Sequence, residues 1–138
     1  MDLGDALSFA ADRHHGVLVT QKANGRPQLS NIAYAVADGV ARISITADRA
    51  KYRNLQSVPY ASLHVTRDDF WAYVVIEADV ELSPIATDTD DATVDELIEV
   101  YRAMAGEHPD WDDYRRAMVE DQRVVVRLRP THAYGMLT

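Results

Sequence analysis

Residues 16–46 read GVLVTQKANGRPQLSNIAYAVADGVARISIT, and this stretch decides the fold class. Its branched residues from Gly16 to Gln21 predict a strand that stops at Asn24 and Gly25, a pair typical of tight hairpin turns. A second strand is predicted over Pro27–Val36, and Asp38 and Gly39 form the next turn signal before an alternating strand over Val40–Thr46. We therefore expect three strands joined by two tight turns, as an antiparallel meander.

The rest of the chain adds helices at three places and strands between them. Helical spacing of apolar residues predicts a short helix from Leu3 to near His14, and Gly106 is the predicted stop of a later helix whose N-cap is Thr93 or Thr87. The remaining predicted elements are a helix over Asp48–Val58, strands over Ala61–Thr66 and Trp71–Leu82, helices over Thr87–Ala105 and from Asp110, and strands over Arg123–Arg129 and His132–Leu137, separated by Pro130. This order predicts a single, mainly β domain over residues 1–138, a small barrel of six or seven strands with a two-helix insertion at about 87–121.

Composition and charge exclude several classes of function. The chain of 138 residues is 47% hydrophobic, has no cysteine and carries a net charge of −8, so it can form a core and has no thiolate chemistry. Residues 83–121 hold twelve acids against three arginines, so this insertion carries −9 and the remaining body is close to neutral. We expect no nucleic-acid partner, no membrane span and a cytoplasmic location. No two of the five histidines have helical i, i+4 spacing, and we expect no metal site.

The segment Ser44–Asn54 (SITADRAKYRN) carries the strongest functional signal. A strand ends in small hydroxyl residues, and Arg49, Lys51 and Arg53 follow at alternate positions at the start of a predicted helix. Free backbone N–H groups at a helix start, together with nearby cations, favour a phosphate or a polycarboxylate. The alternative interpretation is a charged surface turn before a short helix.

The order of these elements resembles the flavin and deazaflavin reductase-like split β-barrel family, of which pyridoxamine phosphate oxidase is the best-known relative. The resemblance covers nearly the whole chain and is densest from His15 to Val65. The matching pieces are the GVLVT strand at 16–20, the P-x-x-S-x-x-x-Y spacing from Pro27 to Tyr34, the S-x-T-x-x-R-x-K-x-x-N-L block from Ser44 to Leu55, and the ending RLRPTHAYGM from Arg127 to Met136. The resemblance implies an antiparallel split barrel with an N-terminal helix and a two-helix insertion.

Within this family the sequence is most similar to the small proteins, mainly actinobacterial, that use the deazaflavin coenzyme F-420. That resemblance implies a homodimer with the cofactor in a groove between the subunits. The residues that match the cofactor's phosphate and ribityl contacts are Ser44, Thr46, Arg49 and Lys51. The strand beside the ring matches Ser30, Asn31, Ile32 and Ala33. Trp71 and Tyr73, predicted on one face of one strand, match aromatic residues near the pocket, and packing in the dimer interface is an equal alternative for them.

The implied function is an oxidoreductase that transfers a hydride to an electron-poor small molecule such as a quinone, an enone or a tetrapyrrole. No catalytic residue is assigned, and Tyr34, Tyr73 and His64 are candidate proton donors. The ending AYGMLT lacks the basic, Trp-bearing tail of the pyridoxamine phosphate oxidases, which argues against a vitamin B6 oxidase. An FMN-dependent enzyme and a non-catalytic deazaflavin carrier are the alternatives. We expect the acidic insertion to lie away from the phosphate end of the cofactor, because its charge would repel an anion.

Overall fold

Seven antiparallel strands form one curled sheet in the computed structural model, which describes residues 1–138. The helices are α1 (Leu3–Ala11), α2 (Ala50–Ser57), α3 (Ala92–Ala105) and α4 (Trp111–Glu120). The strands are β1 (His15–Gln21), β2 (Pro27–Ala33), β3 (Ala35–Ala37), β4 (Val40–Thr46), β5 (Tyr60–Thr66), β6 (Tyr73–Leu82) and β7 (Arg123–Met136). Their order in the sheet is β2-β1-β5-β6-β7-β4-β3. The predicted mainly β split barrel is confirmed.

The predicted three-stranded meander is wrong, because the chain breaks its strand at Tyr34. The two hairpins form as expected, but β2 pairs only with β1 while β3 pairs only with β4, at the opposite end of the sheet. Tyr34 is fully buried, its hydroxyl donates to the Ala10 carbonyl at 2.7 Å and its backbone N–H donates to the His14 carbonyl at 2.9 Å. These bonds hold the chain where it crosses from one end of the sheet to the other.

The main core lies inside the curled sheet, where every second strand residue points. Leu18, Ile43, Leu63 and Ile76 are among its fully buried side chains. Helix α1 covers one end of this core with its small face, Ala6 and Ala10, and Asp2 caps the helix by accepting from the Asp5 N–H at 3.0 Å. None of the four helices is both long and apolar enough to cross a membrane.

Three further boundaries differ from the prediction. The two predicted C-terminal strands are one strand, β7, in which the pairing with β6 shifts by one residue beside Pro130; a bulge of this kind lets proline stay in a sheet. Strand β6 begins only at Tyr73, so Trp71 lies in the preceding turn. Helix α3 begins at Ala92, and Asp91, rather than either threonine, is its N-cap.

The insertion is a helical hairpin that packs on the outer side of β7. Leu97, Ile98 and Met118 form a second small core with Val125 of β7. A charged contact supports it: the Glu96 carboxylate of α3 accepts from Arg127 Nε at 2.8 Å and from Arg42 Nε at 3.0 Å. Because the Glu96 side chain is only 20% exposed, these bonds are partly shielded from water and hold α3 against both β4 and β7.

The contact at Glu96 predicts a pH-dependent part of the stability. Hydrogen bonds from Arg127, the largest cause, and from Arg42 lower the pKa of Glu96. Its stabilising contribution is therefore complete above the ordinary pKa of glutamate, about 4.3, and is lost as the pH falls through the lower folded-state value. We expect Glu96→Gln to reduce the free energy of unfolding at pH 7 by about 1–3 kcal/mol and to flatten its acid dependence. Urea unfolding at pH 7 and below pH 4 measures both.

Glu99→Gln is the matched control, since the Glu99 side chain is 69% exposed and pairs only with Arg102 on the same helix. We expect it to change the stability by less than about 0.5 kcal/mol. Equal effects of the two substitutions would contradict the role given to Glu96.

Candidate functional site

A groove runs along the split in the barrel, where β2 faces β4 without pairing to it. One hollow of about 510 Å³ is bordered by Asn31, Ile32 and Ala33 of β2 and by Ser44, Ile45 and Thr46 of β4. A second hollow of about 610 Å³ meets it at the same three β2 residues and extends to His15, Gly16, Val17, His64 and Thr66. The split predicted by the family resemblance therefore yields a groove long enough for an extended ligand.

The start of α2 points two cations into the first hollow. Arg49 is the N-cap residue of α2 and its side chain makes no capping bond, while Lys51 lies in the first turn, and both line the hollow. The helix is held by Leu55, which is buried in the main core, and by Asn54, whose Nδ2 donates to the buried Thr20 Oγ1 of β1 at 3.1 Å. The block of residues singled out in the sequence thus combines anchoring residues with an exposed cation, Arg49, and a half-buried one, Lys51.

A third cation, Arg123, was missed by the sequence analysis. It lies at the start of β7, directly opposite Thr46 of β4, and lines the same hollow. Its Nη1 donates to the backbone carbonyl and to the hydroxyl of Ser44, each at 3.4 Å. Only the pairing of β7 with β4 brings it there, and nothing near Arg123 in the sequence signals that pairing.

The three cations crowd one another. Burial lowers the pKa of Lys51, and the positive charges of Arg49 and Arg123 lower it further. Two carboxylates lie near these cations. Asp48, which is exposed, accepts a hydrogen bond from the Thr46 hydroxyl at 2.6 Å, and this bond lowers the pKa of Asp48. Asp121 forms an ion pair with Arg123, with its carboxylate 3.8 Å from Nε. The hollow is thus a concentration of positive charge in a protein of net charge −8, which suits an anionic ligand.

The insertion forms the opposite wall of this hollow, so the prediction that it lies away from the cationic end is wrong. Its apolar side faces the groove through Tyr101, Met104, Tyr114 and Met118. Its acids, such as Asp95 and Glu99 of α3 and Asp112 and Asp113 of α4, are exposed. Net charge alone does not determine which side of the insertion faces the groove, because an amphipathic hairpin directs its charge and its apolar surface to different sides.

The tyrosines of this wall contribute packing surface to the hollow. Tyr114 donates its hydroxyl to the Leu97 carbonyl at 3.2 Å, and burial raises its pKa to about 12. Tyr101 packs against the rings of Tyr114, Trp111 and His108, with centroids 5.1–5.7 Å apart. This four-ring cluster makes the tip of the hairpin a firm aromatic support.

Of the other predicted site residues, Ser30 borders neither hollow. Trp71 is 69% exposed in the turn before β6, so the prediction that it shares a strand face with Tyr73 is wrong. Tyr73 pairs with Thr66 of the second hollow, and its ring lies 5.6 Å from that of His64.

Among the candidate proton donors, His64 borders the second hollow, with Nε2 3.4 Å from Thr66 Oγ1. Tyr34 is not available, since it is fully buried, its hydroxyl is bonded to Ala10 and burial raises its pKa well above the ordinary value. No three His, Asp, Glu or Cys side chains converge in a way that could hold a metal ion.

Fold and groove together define a split β-barrel with three cations lining one hollow of its groove. The sequence profile of the pyridoxamine 5′-phosphate oxidase family matches residues 5–137. The chain belongs to this family.

Solved structures that share this fold have names that refer to different cofactors. An F420 reductase is 23% identical, with a TM-score of 0.71 over 92% of this chain and 94% of that one. The heme storage protein HutZ of Vibrio cholerae is 17% identical, with a TM-score of 0.70 over 99% and 96%. A FAD-binding protein of Mesorhizobium loti is 14% identical, with a TM-score of 0.70 over 98% and 92%. At these identities the likeness establishes the shared fold.

Because the three cations of the hollow repel one another, we expect them to lower the free energy of unfolding of the free protein. The folded-state pKa of Lys51 is lowered, so its unfavourable contribution is fully present at pH 7 and disappears only as the pH rises toward the ordinary pKa of lysine, about 10.4. We expect Lys51→Met to keep the unfolding temperature of the free protein or raise it by up to about 3 °C. Phosphate at constant ionic strength should raise the unfolding temperature of the unsubstituted protein and not that of the variant. A clear drop in the variant's unfolding temperature would contradict this reading.

Proposed function

We propose that this protein is an oxidoreductase that uses the deazaflavin coenzyme F-420. The observation that carries the proposal is the cationic hollow of Arg49, Lys51 and Arg123, which opens into a groove along an unpaired strand edge. An F420 reductase with the same fold supports it. The physiological acceptor is of the class already named, an electron-poor small molecule such as a quinone, an enone or a tetrapyrrole.

The residues of the groove fit such a coenzyme. Arg49 and Lys51 would hold the phosphate at the start of α2, where backbone N–H groups and two cations coincide. The hydroxyls of Ser44 and Thr46 would contact the ribityl chain beside them. Asn31, Ile32 and Ala33 would border the ring, since they separate the two hollows and so lie along any ligand that occupies both.

The reduced coenzyme, when bound, supplies a hydride. The protein's part is to fix the distance and the face of approach between the ring and the acceptor, because orientation of two bound reactants removes much of the entropic cost of their reaction. Two ionisable side chains, His15 and His64, line the second hollow, and His64, the candidate named from the sequence, would hold a proton at Nε2 or Nδ1 beside an acceptor there.

The phosphate assignment is tested by two substitutions and one control. A charge-assisted hydrogen bond to phosphate in a partly shielded site contributes about 1.5–3 kcal/mol. We expect Lys51→Ala to weaken coenzyme F-420 roughly 10- to 150-fold in a fluorescence titration, and Arg49→Ala to act similarly. The double substitution should be sub-additive if both side chains contact one phosphate. Lys22→Ala is the control, because Lys22 is the one other lysine in the chain and lies exposed in the β1–β2 turn.

Unchanged titration curves for both substitutions would refute the site, even though the fold is established. Raising the salt concentration should weaken binding to the unsubstituted protein more than to either variant, because each variant has one positive charge fewer to be screened.

We propose further that the protein is a homodimer, with the outer face of the sheet as the interface. On this face Val75 of β6 lies between His64 of β5 and Tyr134 of β7. Large apolar side chains on the same face, Leu29, Tyr60, Tyr134 and Met136, are 46–63% exposed. Several large apolar side chains exposed on one face of a sheet are typical of an interaction surface.

Val75→Asp should therefore shift the protein from dimer to monomer at micromolar concentration, measured by light scattering. Ala92→Asp, at an exposed position at the start of α3, is the matched control and should leave the mass unchanged. A monomeric unsubstituted protein would rule out the interface and a groove shared between subunits.

Two alternatives share the same groove. The FAD-binding protein of the same fold supports an FMN-dependent enzyme as one alternative. Competition between FMN and coenzyme F-420 for the apoprotein distinguishes an FMN-dependent enzyme from an F-420-dependent one. A non-catalytic carrier would bind coenzyme F-420 without turning it over. Rapid oxidation of the reduced coenzyme by at least one member of a quinone, enone and tetrapyrrole panel would establish the enzyme, and tight binding with no oxidation by any would establish the carrier.

A further inference from the structure

The connection between α3 and α4, residues 106–110, contains a histidine that does not itself line the groove. His108 is half-buried, and its Nδ1 lies 2.9 Å from the backbone nitrogen of Asp110. A backbone N–H can only donate, so Nδ1 is the acceptor of this hydrogen bond and carries no proton. The His108 ring is therefore neutral in this structure, with its proton on Nε2.

The ring of His108 supports the apolar wall of the first hollow. Its centre is 5.3 Å from that of Tyr101 and 5.4 Å from that of Tyr114, the two tyrosines that line the hollow. The ring of Trp111 is its third neighbour, at 5.7 Å. One side chain thus joins the connection to α3, through Tyr101, and to α4, through Trp111 and Tyr114.

Few hydrogen bonds hold this connection. At its start, the Gly106 N–H donates to the Arg102 carbonyl at 3.0 Å, and Arg102 Nε donates to the Glu107 carboxylate at 2.8 Å. Between Glu107 and the N-cap of α4, the bond at His108 fixes the chain, and Pro109 has no N–H that could replace it. Loss of the bond at His108 would therefore free the end of the connection that leads into α4.

Charged side chains lie on all three segments around His108, besides the two tyrosines: Arg102 on α3, Glu107 and Asp110 in the connection, and Asp112 and Asp113 on α4. The acids favour a proton on the ring, and Arg102, which lies 4.8 Å over the Trp111 ring, opposes it. Glu107 is bonded to Arg102, and the Asp110 carboxylate accepts from the Asp113 N–H at 3.0 Å. A proton on Nδ1 would therefore replace an acceptor by a second donor that faces the Asp110 N–H.

We propose that His108 is a positioning residue for the groove wall, which it holds in place only while its ring is neutral. Histidine is the side chain that ordinarily changes charge between pH 5 and 8. Protonation of Nδ1 breaks the bond to Asp110, which loosens the connection and with it Tyr101 and Tyr114. The wall is thus firm at neutral pH and above and loosens as the pH falls. This inference rests on the proposed function only for the identity of the ligand.

Two substitutions of His108 separate the hydrogen bond from the charge. Asn24 accepts from the N–H of Arg26, two residues further on, at 3.0 Å, so His108→Asn can keep the same kind of bond without a titrating ring. His108→Phe keeps an aromatic ring and has no acceptor. His132→Asn is the matched control, because His132 is an exposed histidine on β7, away from the connection.

The first measurement needs no ligand: it is the hydrogen exchange of the backbone amides of residues 101–114 at pH 5.5 and pH 7.5. Each variant is compared with the unsubstituted protein at the same pH, because the intrinsic exchange rate is then common to both. From pH 7.5 to pH 5.5, we expect exchange in the unsubstituted protein, relative to His108→Asn, to rise by about 3- to 10-fold, the effect of one lost hydrogen bond. His108→Phe should exchange faster than His108→Asn at both pH values, and His132→Asn should follow the unsubstituted protein.

The second measurement is the affinity for coenzyme F-420 at the same two pH values, by calorimetry. Any titration of the coenzyme itself affects all variants alike, so the ratio of affinities is compared. We expect the affinity of the unsubstituted protein, relative to that of His108→Asn, to fall by about 3- to 10-fold from pH 7.5 to pH 5.5. His15 and His64 line the second hollow in every variant and therefore do not contribute to this ratio.

The outcomes separate this inference from the function on which it rests. An exchange ratio between the unsubstituted protein and His108→Asn that is the same at both pH values would overturn the role of His108. Faster exchange at pH 5.5 with an unchanged affinity ratio would show that the connection loosens without moving the wall, and would overturn it as well. If coenzyme F-420 binds none of these proteins, the proposed function fails, and the hydrogen exchange alone decides whether His108 holds the wall.

Discussion

The structure depends on one constraint, the fixed position of Tyr34 at the split in the sheet. Its hydroxyl donates to the Ala10 carbonyl, and its backbone N–H donates to the His14 carbonyl. Its own carbonyl is hydrogen-bonded to Nδ1 of the His14 ring. Because consecutive strands β2 and β3 leave this point for opposite ends of the sheet, β2 faces β4 across a gap instead of pairing with it. The groove is that gap.

The cationic end of the groove was predictable because its information is local. Arg49 and Lys51 follow the strand that ends at Thr46, and the change from strand to helix spacing is readable in eleven residues. Arg123 and the wall of Tyr101 and Tyr114 were not predictable in this way. They reach the groove through pairings between residues far apart in the chain, which neither residue spacing nor turn signals specify.

The element prediction failed where tertiary structure overrides local signals. Pro27–Val36 has continuous strand character, and only the burial of Tyr34 under α1 interrupts it. Pro130 is a sound signal for a strand end, yet a bulge accommodates it within β7. The acidic insertion was misplaced for a related reason. Its net charge is a property of its composition, whereas its contact with the groove depends on which side of each helix carries the charge.

We propose that the groove at the split holds the phosphate of coenzyme F-420 at the start of α2. A crystal structure of the protein grown with the coenzyme tests this most directly. We expect a phosphate oxygen within about 3 Å of Lys51 Nζ, with the ring alongside Asn31, Ile32 and Ala33. A bound coenzyme whose phosphate lies outside the hollow of Arg49, Lys51 and Arg123 would contradict it.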